Sequence, residues 1–463
     1  MINDVNNPRF LEENLQAFQA LIVNELQNSH DRLGKVLIQK PIHEILLELD
    51  FENLLKNGGG DLPTIARIIL SHSNHLHHPR YMGHQVAVPM LPSSLADLLN
   101  GVTNNGMAVY EMGPAATAVE KGMVGWMLQK VGWERNGGGV FTHGGSLANL
   151  SCLLAARARA IPESWNQGNP PGWVFLASEA AHYSLARSAS ILGFGSDSVI
   201  KVPVDEQLRI KMDALEKVFY ATRSEGKKVL AIVASAGVTA TGVFDLLKPI
   251  GEFCRKENVW LHVDGAHGAS ALISPRYREL MDGVALADSL VWDTHKMLGT
   301  STLCGAALFR DKSCLASTFS QNASYLFSEF EQPGEDISKI SFECTKAPIA
   351  LKLFFNLAVL GEKGMATHVE TLFDRAQDFY QLIRKTEGFE CLCQPQANIL
   401  CFRYGTDSRM QDSIRQRLVF DGDFYITRAT IHGQSYMRMV IMNPLTSADD
   451  IRALCQRIRK LAV

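Results

Sequence analysis

The 463-residue chain holds 45 lysine and arginine residues against 48 aspartate and glutamate residues, a formal net charge of −3. With 46% hydrophobic and 20% charged residues it has an ordinary globular composition, and nothing in that balance asks for a nucleic-acid or anionic-membrane partner. The length suits two domains and an extension.

The first residues, Met1–Asn14, are polar and lack the basic start and apolar run of a signal peptide. The most apolar long stretch, Ile349–Leu360, is interrupted by Lys352 and Asn356 and is too short to span a bilayer. Nine cysteines form no Cys-x-x-Cys pair, and Cys152, Cys254 and Cys401 sit in apolar runs. That pattern suits buried free thiols in a reducing compartment, so a cytoplasmic protein is expected.

Apolar positions three and four residues apart predict helices over Phe10–Gln27 and Pro41–Leu55, ahead of a glycine break at Asn57-Gly-Gly-Gly-Asp61. A further helix, Leu62–His72, runs into a segment with His72, His75, His77 and His78. These spacings repeat no recognised ligand pattern and no acid or cysteine is interleaved, so no metal is expected there. Leu91–Val131 alternates helical signals with turns. Gly144-Gly145-Ser146 then reads as a glycine turn opening a helix from Leu147 to Ala160. Such a helix start offers free N–H groups to a phosphate, although many glycine turns only join elements.

From there strands are predicted at Trp173–Ala177, Ser198–Val202, Lys228–Ala234, Val259–Val263, Asp288–Trp292 and Cys304–Phe309. Helices over His182–Leu192, Lys211–Thr222 and Phe244–Glu257 alternate with them. Short apolar strands between amphipathic helices predict an α/β fold with a mostly parallel sheet. Ser317–Glu343 reads as a long loop, Ala347–Leu360 and Ala366–Thr386 as long helices, and the remainder as a small α+β domain. The expected division is an N-terminal helical extension (1–75), a large cofactor domain (76–345), and connecting helices with the small C-terminal domain (346–463).

Two of the apolar runs deliver chemistry at their ends. One ends in Asp264, and the next ends in Asp293-Thr294-His295-Lys296. Ligands of parallel sheets sit at the carboxyl ends of strands. A lysine and an acid placed there suit pyridoxal phosphate, whose aldehyde takes the lysine and whose ring nitrogen takes the acid.

At this point the residues amount to a resemblance. His78-Pro-Arg-Tyr81, Gly144-Gly145-Ser146-x-Ala-Asn149, Ala181-His182-Tyr-Ser184 and Gly242-Val-Phe-Asp245 are followed by His262-Val-Asp264-Gly-Ala266, His295-Lys296 and Met437-Arg438-Met-Val-Ile-Met-Asn443-Pro. In this order they resemble the group II pyridoxal-phosphate-dependent amino-acid decarboxylases. That family holds glutamate, cysteine-sulfinate, aromatic-amino-acid and diaminobutyrate decarboxylases. The resemblance covers about residues 70–445.

It implies a fold-type I enzyme, working as a homodimer with pyridoxal 5′-phosphate, that removes the α-carboxylate of an L-amino acid. It makes Lys296 the Schiff-base lysine and Asp264 the partner of the ring nitrogen. His182 would stack on the ring and handle a proton, and Ala266 would support the opposite face. Gly145, Ser146 and His295 would hold the phosphate, with Thr239 near the ring. Arg438, His84 and Gln85 fall where the family binds substrate.

The chain also departs from the family. Asp293-Thr294 replaces the frequent Asn-Pro before His-Lys, and Gly237-Val238-Thr239 replaces Gly-Thr-Thr. His84-Gln85-Val86 stands where glutamate enzymes have Gln-Leu-Ser. Between Phe327 and Cys344 there is no tyrosine, only Phe330 and Phe342, although the family places a proton-donating tyrosine in that loop; Tyr325 aligns ahead of it. Acidic and diamino acids both stay open as substrates. An aldehyde-forming oxidative decarboxylase, another lyase or aminotransferase on this scaffold, and a cofactor-binding protein of low activity are the alternatives.

Overall fold

The computed structural model describes residues 5–319 and 333–462. Tyr325, Phe327 and Phe330 lie outside them. The chain divides into two compact units. One comprises Gln85–Ala376 with Pro395–Ile399, and the other Met1–His84, Gln377–Gln394 and Leu400–Val463.

The first unit is built on a seven-stranded sheet: β1 (Gly138–Thr142), β2 (Trp173–Ser178), β3 (Val199–Val202), β4 (Lys228–Ser235), β5 (Trp260–Asp264), β6 (Ser289–Asp293) and β7 (Gly305–Phe309). Their spatial order is β1-β7-β6-β5-β4-β2-β3. β3, β2, β4, β5 and β6 pair in parallel, whereas β7 runs antiparallel to both β6 and β1. The sheet is therefore mostly parallel, as the alternating pattern predicts. β1 is a strand that the pattern missed, because its glycine-rich start, Asn136-Gly-Gly-Gly139, reads as a loop.

Helices Gly145–Ala160 and Ser184–Ile191 pack on this sheet through Cys152, Leu153, Ala155, Ala156 and Leu185, all buried. The apolar character of both strand faces follows, since helices cover them. The register pairs Asp264 with Val291, so β5 and β6 end side by side.

The second unit carries a four-stranded sheet of β8 (Phe389–Cys391), β9 (Ile399–Tyr404), β10 (Thr427–Ile431) and β11 (Gln434–Val440), in the order β10-β11-β9-β8. β10 and β11 form a hairpin whose turn residues His432 and Gly433 both have positive φ, as a two-residue turn requires. Pro8–His30 is a helix. The predicted helix over Pro41–Leu55 is instead two, Ile42–Glu48 and Phe51–Asn57, separated where Asp50 turns left-handed at φ 50°. Arg32 donates to both oxygens of Asp450 at 2.9 Å. Burial opposes the charge on that carboxylate, but hydrogen bonds from Arg32 and Ser447 hold its pKa down to about 2.

In the histidine-rich segment, His72 pairs with Glu48 at 2.6 Å and His75 with Glu25 at 2.5 Å. These acids come from distant sequence. Ala350–Arg384 is helical throughout except at Gly361, whose φ of 65° and ψ of 174° suit only glycine and separate the two predicted helices. No helix among the described residues is long and apolar enough to cross a membrane.

Candidate active site

Lys296 lies in the turn after β6, half-buried, with Nζ 3.5 Å from Asp293 Oδ2. Asp264 ends β5, the parallel neighbour of β6. Its Oδ1 accepts from the Ala266 N–H at 3.2 Å, and its Oδ2 accepts from Asn149 Nδ2 at 3.2 Å. Ala266 is buried, and its carbonyl accepts from the Asp293 N–H at 3.1 Å.

Asn149 is the hub that holds Asp264. Its Oδ1 accepts from His262 Nε2 at 2.8 Å, and its Nδ2 also reaches Ser184 Oγ at 3.2 Å. His262 is buried on β5. With Nε2 donating to Asn149, its Nδ1 accepts from Ser289 Oγ at 2.9 Å, and Ser289 Oγ in turn accepts from Trp260 Nε1 at 2.9 Å. Burial drives the His262 pKa down to about 4, so the ring is neutral at pH 7 and this one tautomer satisfies both nitrogens. The chain of bonds fixes the Asn149 amide with its N–H₂ toward Asp264.

Removing that amide leaves buried groups unsatisfied. Asn149→Ala is expected to weaken pyridoxal phosphate binding about tenfold, from the loss of one bond to a charged group. An absorbance titration of cofactor-free protein checks this, and unchanged affinity would contradict it.

His182 stands just before helix Ser184–Ile191, half-buried. Ser184 Oγ, which accepts from Asn149, donates to His182 Nδ1 at 2.8 Å, so the ring proton sits on Nε2. Burial lowers the His182 pKa; Lys296 and Arg187 add to that effect, while Asp264 and Asp293 oppose it. The structure thus brings His182, Asp264, Lys296 and Asp293 within electrostatic reach of one another.

The helix Gly145–Ala160 starts at this edge of the sheet. Gly144 precedes it at φ 96°, no side chain caps it, and Ser146 is exposed at its first turn. Its first N–H groups are open to an anion. His295 is buried and donates from Nδ1 to the Cys304 carbonyl at 2.7 Å, which orients its ring. Thr239 is half-buried in the turn after β4. Gln85 runs past the same edge, two residues before the Ala87 N–H that donates to the His295 carbonyl at 3.1 Å. Its Nε2 is buried without a hydrogen-bond partner among the described residues.

His84 and Arg438 belong to the other unit. Arg438 is buried and donates from Nη1 to the Gly83 carbonyl at 3.2 Å and to Thr427 Oγ1 at 3.0 Å. His84 is exposed, with Nε2 3.1 Å from the Tyr425 hydroxyl. Desolvation and then the charges of Arg438 and Arg415 lower the His84 pKa.

Sequence reasoning passed over three polar groups here. Asn149 and His262 stand within motifs without a role of their own, and Asp293 enters only as a departure from the family's Asn-Pro-His-Lys. A polar residue inside an apolar run was the available signal.

The larger unit fits pyridoxal phosphate on its own geometry. A lysine and a hydrogen-bonded acid end adjacent strands, an uncapped helix start with a glycine turn suits a phosphate, and the small Ala266 leaves room beside the acid. A mostly parallel α/β sheet with this edge defines the fold-type I class. The family model described as the pyridoxal-dependent decarboxylase conserved domain matches residues 61–405.

The chain is 30% identical over 430 residues to L-2,4-diaminobutyrate decarboxylase of Acinetobacter baumannii, covering 87% of this chain and 84% of that protein. It is 29% identical to the acidic amino acid decarboxylase of Mus musculus over 477 residues, covering 98% and 86% respectively. The crystal structure of mouse CSAD superposes with a TM-score of 0.93 at 27% identity, covering 98% of this chain and 99% of that one. The chain belongs to the pyridoxal-dependent decarboxylase family; it is a carboxy-lyase whose cofactor is pyridoxal 5′-phosphate.

Proposed function

We propose that this enzyme decarboxylates an acidic L-amino acid, one with a carboxylate or sulfinate on its side chain, and releases the amine. The observation that carries the choice is Gln85, whose buried amide donor has no partner beside the His295–Lys296 turn. An unsatisfied buried donor costs free energy until an acceptor arrives, and a substrate oxygen supplies one.

When bound, pyridoxal phosphate supplies an aldehyde for covalent attachment and a ring that accepts the electron pair left by CO₂. In our reading Lys296 Nζ makes that attachment, and the Asp264 carboxylate keeps a proton on the ring nitrogen. Gly145, Ser146 and His295 hold the phosphate, and Thr239 and Ala266 bound the ring. His182 covers the ring face and returns a proton from Nε2 to the carbon that CO₂ leaves. Gln85 binds substrate in this unit, and Arg438 and His84 are the substrate-binding candidates of the other unit.

We further propose a cytoplasmic homodimer. No disulfide joins any cysteine among the described residues. Leu91, Leu95 and Val102 expose more than half their surface on helix Leu91–Thr103, as do Ile42, Leu47 and Leu55 on the N-terminal helices, and apolar faces of that kind favour self-association.

The test is a substrate panel with Gln85→Glu. The wild type is expected to release CO₂ from an acidic amino acid such as L-aspartate, L-glutamate or L-cysteine sulfinate. The added charge is expected to lower kcat/KM on that substrate by about tenfold or more, through like-charge repulsion. Preference for L-2,4-diaminobutyrate in the wild type would overturn the proposed class.

A further inference from the structure

The Asp293 carboxylate has no part in the roles above. It closes β6 with its side chain only 3% exposed, its Oδ2 lying 3.5 Å from Lys296 Nζ and 3.8 Å from His295 Nε2. Its Oδ1 is buried without a hydrogen-bond partner among the described residues. Two glycines make room for it. A Cβ at Gly145 would lie 2.5 Å from Oδ2, and one at Gly305 would collide with Oδ1. The glycine at the helix start is thus needed for the carboxylate as well as for an anion. A carboxylate confined in this way, with an oxygen unsatisfied, is costly to keep unless a positive partner stands beside it.

We propose that Asp293 is the counter-ion of the Lys296 nitrogen in the loaded enzyme, a positioning residue that keeps a proton on that nitrogen. The inference rests on Lys296 being the lysine that bonds the cofactor. In that bond the amine nitrogen adds to the aldehyde carbon, and the aldehyde oxygen leaves as water. The resulting carbon–nitrogen double bond is positively charged while a proton from solvent stays on the nitrogen. A protonated nitrogen makes the carbon a better electrophile for the incoming substrate amine, so the counter-ion keeps the enzyme ready for exchange.

The other charged or titratable groups that face this point are Asp264 at the end of β5, His182 and Arg187 at helix Ser184–Ile191, and His295 in the same turn. Asp264 already accepts from Asn149 and the Ala266 N–H, whereas one oxygen of Asp293 accepts nothing. Asp293 is the carboxylate left to answer a charge on Lys296.

The visible absorbance of the loaded, substrate-free enzyme reports this proton, and its pH titration tests the proposal. In Asp293→Asn, of nearly equal size but neutral, the loss of the protonated band is expected to move to lower pH by about one unit or more, as for removal of an opposite charge at this range. Asp293→Glu keeps the charge and is expected to titrate close to the wild type, which a purely space-filling role would not produce. Asp293→Ser carries the test if the asparagine variant fails to fold, with circular dichroism as the check. Equal midpoints in the wild type and the neutral variants would overturn the counter-ion role. A wild-type band that persists in Lys296→Ala would instead overturn the lysine assignment, so the two failures are distinguishable.

Discussion

Lys296→Ala is expected to abolish the visible band of bound cofactor and to lower CO₂ release by about 10³-fold or more, because the covalent route for delivering the cofactor to substrate is gone. The lysine follows a fully buried strand, Ser289–Asp293, and its side chain is 17% exposed, so removing it deletes no core contact of consequence. The variant is therefore expected to fold, and circular dichroism checks that. Retention of the band would place the attachment at another lysine. Retention of CO₂ release at wild-type rates would remove Lys296 from the mechanism.

Asp264→Asn is expected to separate binding from chemistry. The asparagine side chain keeps nearly the same size and one acceptor oxygen, which serves either Asn149 or the Ala266 N–H while its NH₂ faces the other donor, so only one of the two bonds survives. What it loses is the negative charge that keeps the ring nitrogen protonated, and with it the stabilisation of the electron pair left by CO₂. Losing one such electrostatic partner costs on the order of 10²–10³-fold in rate. The expected result is a retained visible band with CO₂ release lowered by about that factor. A change in cofactor affinity alone, with kcat intact, would make Asp264 a binding residue only.

Much of this site was legible before any coordinates. Asp264 ends the run Val259–Val263, apolar but for His262, and Lys296 stands just past the run Leu290–Trp292, and in a mostly parallel sheet both strands must end at the same edge. The glycine turn at Gly144–Gly145 announced the helix start by the same logic. What the linear pattern did not convey was whatever depends on distant partners. Asn149, His262 and Ser289 form one hydrogen-bonded chain, yet they lie on a helix and two strands widely separated in sequence.

Asp293 is a similar case. Its neighbourhood is made by Gly145 and Gly305, and no local periodicity brings those three together. Two fold details failed for local reasons. β1 begins in glycines, which resemble a loop, and Asp50 adopts a left-handed conformation that short polar residues tolerate, splitting one predicted helix into two. The missing loop tyrosine prompted the assignment of proton return to His182. The tautomer that places a proton on Nε2 supports that assignment.

The most direct test of the central claim uses carboxyl-labelled L-amino acids, following labelled CO₂ and the second product together. The cofactor-loaded wild type is predicted to release CO₂ from an acidic substrate with one equivalent of amine, and Lys296→Ala to release none. A wild type that shows the Lys296-dependent band yet releases no CO₂ from any amino acid, or yields aldehyde and hydrogen peroxide in place of amine, would contradict the account.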